Sequence, residues 1–351
     1  MRRRRDEEGQ RRGGGRWFWA GLLAAAVFFL AALVGVIAWY EVEAHPSGRP
    51  GRAVVVRVVP GEGTAAFAGA LEQRGVISDA LAFRVSLLLH GSPSLEPGLY
   101  QLHRNDSFAA VRTVVDSGPN IFDVDVPAGY TLGELEATMG ELPGKMAHDF
   151  AVDARRGVVR SPYATSLHPS LEGLLGTGVY EVLPNETARQ LLSAMVDRFA
   201  RQAEAAGLTP TDRGPGGLSP YQVATVASIA QKEGYYDRYM GDVARVIYNR
   251  LARGMPLDMT STVLYALGQD GGTVTPADQS LPSPYNTYLN TGLTPTPICF
   301  SSPAALAAAA SPPPGTWLYF TVVARTGKTL FADTYTQQLA NEALGRSKGI
   351  G

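Results

Sequence analysis

Along the chain the apolar positions change period several times, and each change marks a predicted element. Trp17 to Tyr40 carries no charge over about 24 residues, enough for a helix to cross a bilayer. Glu41 to Arg52, with Pro46, Gly48, Pro50 and Gly51, reads as a linker. The β-branched run AVVVRVV (Ala53 to Val59) predicts a strand, and the turn Pro60-Gly61-Glu62-Gly63 follows it. Phe67, Ala70 and Leu71 then predict a helix ending at Gly75. Ser78 is placed to cap a second helix over Asp79 to His90, and Gly98 to Leu102 supplies a returning strand. Strand, helix, helix and strand in about 50 residues make a unit near the lower size limit of a domain. Ile121 to Met139 repeats the strand, Pro-x-Gly turn and helix of Val54 to Leu71. Either a small α+β module is duplicated, or a common strand-turn-helix piece recurs.

Further on, Met146 to Gly157 is helical in pattern, Arg160 to His168 is a polar loop, and Leu171 to Val182 ends in a strand. Asn185 is placed to cap a long amphipathic helix through Leu191, Leu192, Met195 and Phe199. The Pro- and Gly-rich stretch Thr209 to Gly217 leads to SPYQVATVASIAQKEG, the best-punctuated helix of the chain. There Ser219 is the N-cap, Pro220 takes the first helical position, Gln222 completes a capping box, and Gly234 offers a left-handed stop. Val243, Val246, Ile247 and Leu251 form the inner face of the next helix, stopped by Gly254 and Pro256. Thr260 to Leu267 reads as a short helix, and Gly271 to Pro284 as a polar loop. Ala304 to Ala310 is a helix cut off by Pro312 to Pro314. TWLYFTVVA and TLFAD around Arg325-Thr-Gly-Lys328 signal a hairpin, and the last dozen residues are expected to fray. The fold class is α+β.

At 351 residues the chain has room for two soluble domains beyond the span. Charge is nearly balanced, at a formal −1, but Arg2 to Arg5, Arg11, Arg12 and Arg16 crowd the N-terminus. Arginines before the span, with Glu41 and Glu43 after it, place the N-terminus in the cytoplasm and the rest outside. Trp17, Trp19, Trp39 and Tyr40 mark the two ends like an interfacial belt. A cleaved signal peptide competes, but the run is longer than a signal core and no small-x-small site follows it. Without the arginines the exported portion is mildly acidic, which argues against nucleic acid. Cys299 stands alone, so no internal disulfide forms, and the five histidines lack ligand spacing. No metal is expected.

The candidate chemistry centres on Glu233. At 100° per residue Val223, Val226, Ala227, Ile229 and Ala230 share one arc, with Glu233 inside it and Lys232 pointing elsewhere. Desolvation and the C-terminal end of the helix dipole both push such a carboxyl toward its protonated form. That is the state general-acid cleavage of a glycosidic bond needs. The competing reading is a solvated glutamate at a helix end.

ASIAQKE, VIYNRL, STVLYALG and SPYNTYLNTGLTPTPI, in this order, resemble the endolytic murein transglycosylase family, the YceG-like or MltG-like proteins. The likeness covers roughly residues 53 to 340. It implies a membrane-anchored enzyme that cuts nascent peptidoglycan strands internally, working beside cell-wall synthases of the same membrane. To the Arg-rich cytoplasmic tail (1–16), transmembrane helix (17–40) and linker (41–52) read from the residues, the resemblance adds a LysM-like module (53–118) that binds glycans. A catalytic domain (119–343) and a disordered tail (344–351) complete the expected order. The family pattern SI-x-E-K-E places the catalytic glutamate at Glu233, with Gln231 at its first acid. The resemblance further implies proton donation by Glu233 and ring closure by the sugar's own O6, with no metal or organic cofactor and no second carboxylate.

Tyr285, Asn286, Thr287 and Tyr288 match the family's YNTY, whose rings and amide suit sugars, although the tyrosines could equally fill core space. Gln231 and Tyr265 are candidates for supporting positions. Asn249 and Arg250 either brace the site or occupy a helix surface. Asp258 is the acid a water-using hydrolase would recruit, and a silent glycan-binding scaffold is the main rival reading. The chain departs from the family where Gly176-Thr177-Gly178-Val179-Tyr180 replaces F-P-D-T-Y and Thr260-Ser261-Thr262-Val263 replaces D-P-T-V. Thr296 to Pro303 replaces P-G-P-I-x-N-P-G, and the terminal H-x-F and E-H-N patterns are missing.

Overall fold

The computed structural model describes residues 14–140, 146–234 and 236–350. The N-terminal arginines expected to set orientation lie outside the described side chains. The chain divides into two compact units, Met1–Phe122 and Asp123–Gly351.

The first unit opens with α1 (Gly14–Ala44), whose segment Trp17–Ala44 is long and apolar enough to cross a membrane. The helix runs past the expected end at Tyr40 and takes up the start of the predicted linker. The reason is packing: Ala44 belongs to the core of the following module, and Trp39 and Tyr40 rest against it. Strand β1 (Ala53–Val58), helices α2 (Thr64–Gln73) and α3 (Ala80–His90), strand β2 (Gly98–His103) and α4 (Phe108–Asp116) complete the unit. The strands pair antiparallel, from Ala53 opposite His103 to Val58 opposite Gly98. Val56, Val58, Phe67, Leu71, Phe83 and Tyr100 form the interior. The cap of α3 is Asp79, whose carboxylate accepts the Ala82 N–H at 2.9 Å. Ser78, expected to cap it, instead donates its hydroxyl to Glu43 of α1. The boundary expected after residue 118 falls at 122, because Asn120 stays with the module by accepting the Gln101 N–H at 2.7 Å.

Strand β3 (Phe122–Val126) starts on the last residue of the first unit and leads into the second, where α5 (Leu132–Met139), α6 (Met146–Arg156), β4 (Gly178–Val182) and α7 (Ala188–Ala205) follow. β3 pairs with β4. Val124, Leu135, Phe150, Leu192 and Met195 are buried between these elements. The cap of α7 is Thr187, in a reciprocal pair with Gln190, not Asn185.

Next come α8 (Pro220–Glu233), α9 (Asp237–Ala252), α10 (Thr260–Leu267) and α11 (Pro303–Ala310). Val223, Val226, Ile229, Val246 and Ile247 belong to the core where α8, α9 and α11 meet. The hairpin β5 (Tyr319–Val322) and β6 (Thr329–Ala332) pairs Tyr319 with Ala332. Helix α12 (Tyr335–Ser347), capped by Thr334 with Gln337 and packed on the hairpin, takes in the residues expected to fray, and the start of the tail expected to be disordered from 344, as far as Ser347. Gly345 is buried there, so close that a Cβ would sit 3.2 Å from the Val322 carbonyl oxygen.

Candidate active site

Glu233 is the last residue of α8, and the turn behind it decides where its carboxyl goes. Ser219 and Gln222 form the predicted capping box at the other end of the helix. Gly234 closes α8 with φ −76° and ψ 101°, outside the left-handed region expected of it. Its glycine serves room instead, since a Cβ would lie 2.8 Å from both the Ala230 carbonyl oxygen and Met240 Cγ.

From this turn the Glu233 Oε1 accepts the Ser261 N–H at 2.9 Å. Ser261 sits in the first turn of α10, where free N–H groups and the helix dipole favour an anion. Burial is the largest influence on the carboxyl and pushes its pKa above the usual range, while the Ser261 N–H and the hydroxyl beside it oppose the shift. The sequence anticipates the burial. It does not anticipate the opposing helix end.

Glu233 lines a cavity of about 830 Å³. Tyr265 and Tyr285 form part of its wall, their rings 4.9 Å apart and tilted by 51°. The Tyr285 hydroxyl pairs with Thr296 Oγ1 at 2.9 Å. Lys232, expected to point away, also reaches the cavity and forms an ion pair with Asp270.

A second buried carboxyl lines this cavity, and sequence reasoning missed it. Glu172 is buried, accepting the Leu132 N–H on Oε1 at 3.0 Å and the Tyr265 hydroxyl on Oε2 at 3.1 Å. Burial drives its pKa up to about 7; the two hydrogen bonds oppose the rise, and the charges of Glu136 and Glu134 add to it. Glu172 lies on a loop with no periodicity to expose it. The available signal was an acid set within the apolar run Leu171 to Leu175.

The other predicted site residues are spent on the fold and do not line the cavity. Asn286 is fully buried, donating to the Gln279 and Leu281 carbonyls at 2.9 Å and accepting the Tyr288 N–H at 3.0 Å. Thr287 Oγ1 accepts the Met259 N–H at 3.0 Å and pairs with Thr262 Oγ1 at 2.9 Å, which anchors the start of α10. The Tyr288 hydroxyl pairs with Thr260 Oγ1 at 3.2 Å, and burial raises its pKa. Gln231 Oε1 accepts the Ser302 N–H at 2.9 Å, tying α8 to the start of α11. Asn249 donates to the Trp317 carbonyl at 2.8 Å and the Gly315 carbonyl at 3.1 Å. Arg250 is buried, giving hydrogen bonds to the Leu318 and Leu257 carbonyls and to Asp258. Asp258 is thereby committed to an ion pair, away from the cavity.

Residues 56–343 match the YceG-like family. An endolytic murein transglycosylase of Bacillus subtilis (strain 168) is 26% identical over 297 residues, covering 80% of this chain and 81% of the relative. One of Streptococcus pneumoniae serotype 2 is 25% identical over 321 residues, covering 83% of this chain and 58% of that longer protein. The crystal structure of a putative yceG-like protein from Listeria monocytogenes superposes with a TM-score of 0.56 at 25% identity. That likeness covers 82% of this chain and 98% of the other. With the matched region spanning both units, the chain belongs to the YceG-like family.

Proposed function

We propose that this protein is a membrane-anchored lytic transglycosylase that cuts peptidoglycan strands internally and so ends their elongation. The observation that carries the reading is a single one: a carboxyl held toward its protonated form at the wall of a sugar-sized, tyrosine-lined cavity. Glu233 gives its proton to the oxygen bridging N-acetylmuramic acid and N-acetylglucosamine. The C1–O bond breaks and C1 gains oxocarbenium character. The muramyl O6 then bonds to C1 and returns its proton to Glu233, leaving a 1,6-anhydro end with no water consumed. The transglycosylase names of the relatives support the same chemistry.

In this reading α1 anchors the chain in the cytoplasmic membrane with its N-terminus inside. The module of the first unit is LysM-like and holds N-acetylglucosamine-containing strands, and cell-wall synthases of the same membrane supply the nascent glycan. A water-using muramidase is the second reading, and one observation favours it: Glu172 lines the cavity as a second buried carboxyl. Asp258 no longer serves that role, since Arg250 holds it.

Digestion of peptidoglycan by the full-length protein, with mass spectrometry of the ends, separates the readings. Anhydro-muramyl ends are expected, and Glu233→Gln should lower their production by about 10²–10⁴-fold. Reducing ends would support the muramidase. No product at all would leave a glycan-binding scaffold.

A further inference from the structure

The two oxygens of the Glu233 carboxyl stand in different surroundings. Oε1 accepts the Ser261 N–H at 2.9 Å, and among the described residues that is the only protein hydrogen bond the carboxyl makes. The donor belongs to the first turn of α10, whose exposed N–H groups and dipole favour negative charge. We propose that the Ser261 N–H divides the labour of this carboxyl: it fixes Oε1 as a permanent acceptor and leaves Oε2 to carry the proton. It also stabilises the carboxylate that exists between donation and recovery of that proton. The proposal rests on Glu233 being the acid and base of the reaction.

Ser261 occupies the place of the proline in the D-P-T-V pattern of the family, and proline has no N–H to give. A relative with that pattern lacks this donor. The Ser261 hydroxyl is buried beside the carboxyl without hydrogen-bond geometry to any described residue, so the directional contact comes from the backbone N–H.

The other titratable groups facing the cavity have partners of their own. Glu172 takes the Tyr265 hydroxyl and Tyr285 pairs with Thr296, while Tyr288, which does not line the cavity, pairs with Thr260. Lys232 is held by Asp270, Arg155 by Glu136, and Glu134 closes the capping box of Thr131. Against the effect of burial, only Ser261 acts to favour the ionised form of Glu233.

The test compares Ser261→Pro, which removes both N–H and hydroxyl, with Ser261→Ala, which removes the hydroxyl alone. The readout is the pH dependence of kcat/KM for anhydro-end formation by the full-length protein. The alkaline limb, which reports loss of the Glu233 proton, is expected to lie about one pH unit higher in Ser261→Pro than in Ser261→Ala. Coincident limbs, or a shift to lower pH, would overturn the proposal. Proline disfavours a helical residue before it, here Thr260, so a backbone ester at position 261 serves as the second variant. It deletes the N–H from an alanine background and should shift the limb in the same direction. A carbon-13 titration of the Glu233 carboxyl, assigned by its loss in Glu233→Gln, reads the same shift without activity. Absence of anhydro ends from the wild-type protein would therefore sink the functional reading, while an unmoved titration would sink this one.

Discussion

Of the four carboxyl groups that line the cavity, Glu172 and Glu233 are the two that loss of water drives toward the protonated form. For Glu172 the consequence for stability has a definite sign. Its pKa rises from an ordinary 4.5 to about 7 on folding. Below 4.5 the group is protonated in both states and the folded protein bears no penalty. As pH climbs through about 7 the folded state must keep a proton the unfolded chain has released, or bury a charge. Stability is lost across that window, on the order of 3 kcal/mol when complete. Urea denaturation of wild type and Glu172→Gln at intervals from about pH 4 to about pH 8 checks this. The gap between the two should change by an amount of that order, with the variant gaining relative stability as pH rises. Glu233 was legible in the sequence because a helical wheel set it among valines and alanines. Glu172 was not, because a loop residue acquires its surroundings only when α5 and α10 close over it.

Among the elements, α8 and the turn behind it matter most. Its start was readable because capping is a contest among a few adjacent backbone groups. Its end was not, because Gly234 answers to Met240 on the next helix and not to its own dihedral angles. Gly234→Ala should therefore act by collision. At φ −76° alanine is comfortable, yet its Cβ would strike the Ala230 carbonyl and Met240, displacing the residue before it. A kcat loss of about tenfold or more is expected, with a smaller change in KM. Equal kcat in the two proteins would show that the turn has slack. The YNTY stretch teaches the same lesson. Its sequence suggested sugar contacts, but Thr287 faces inward because the start of α10 leaves an N–H and a hydroxyl that need partners, and Asn286 because the Gln279 and Leu281 carbonyls do.

The whole molecule holds separate hydrophobic interiors in its two units. Leu71 and Leu192 are fully buried, one in each. Scanning calorimetry of the full-length protein should show Leu71→Ala lowering one transition and Leu192→Ala the other, each by about 2–5 kcal/mol of stability. A single transition moved equally by both would mean the units melt together. The boundary between them was nearly readable, since the repeated strand-turn-helix pattern begins again at Ile121.

What the chain's order alone determined is local: the long apolar helix, most strands and helices, the capping box of α8, and the apolar arc that singles out Glu233. These follow from interactions within a few residues, where periodicity and backbone hydrogen bonding leave little choice. Tertiary structure alone decided the rest. It carried Glu172 to a tyrosine 93 residues away, turned three YNTY residues into braces, and laid the start of one helix against the acid at the end of another. Such meetings depend on which buried polar groups lack partners once the chain is packed, and no spacing along the sequence records that.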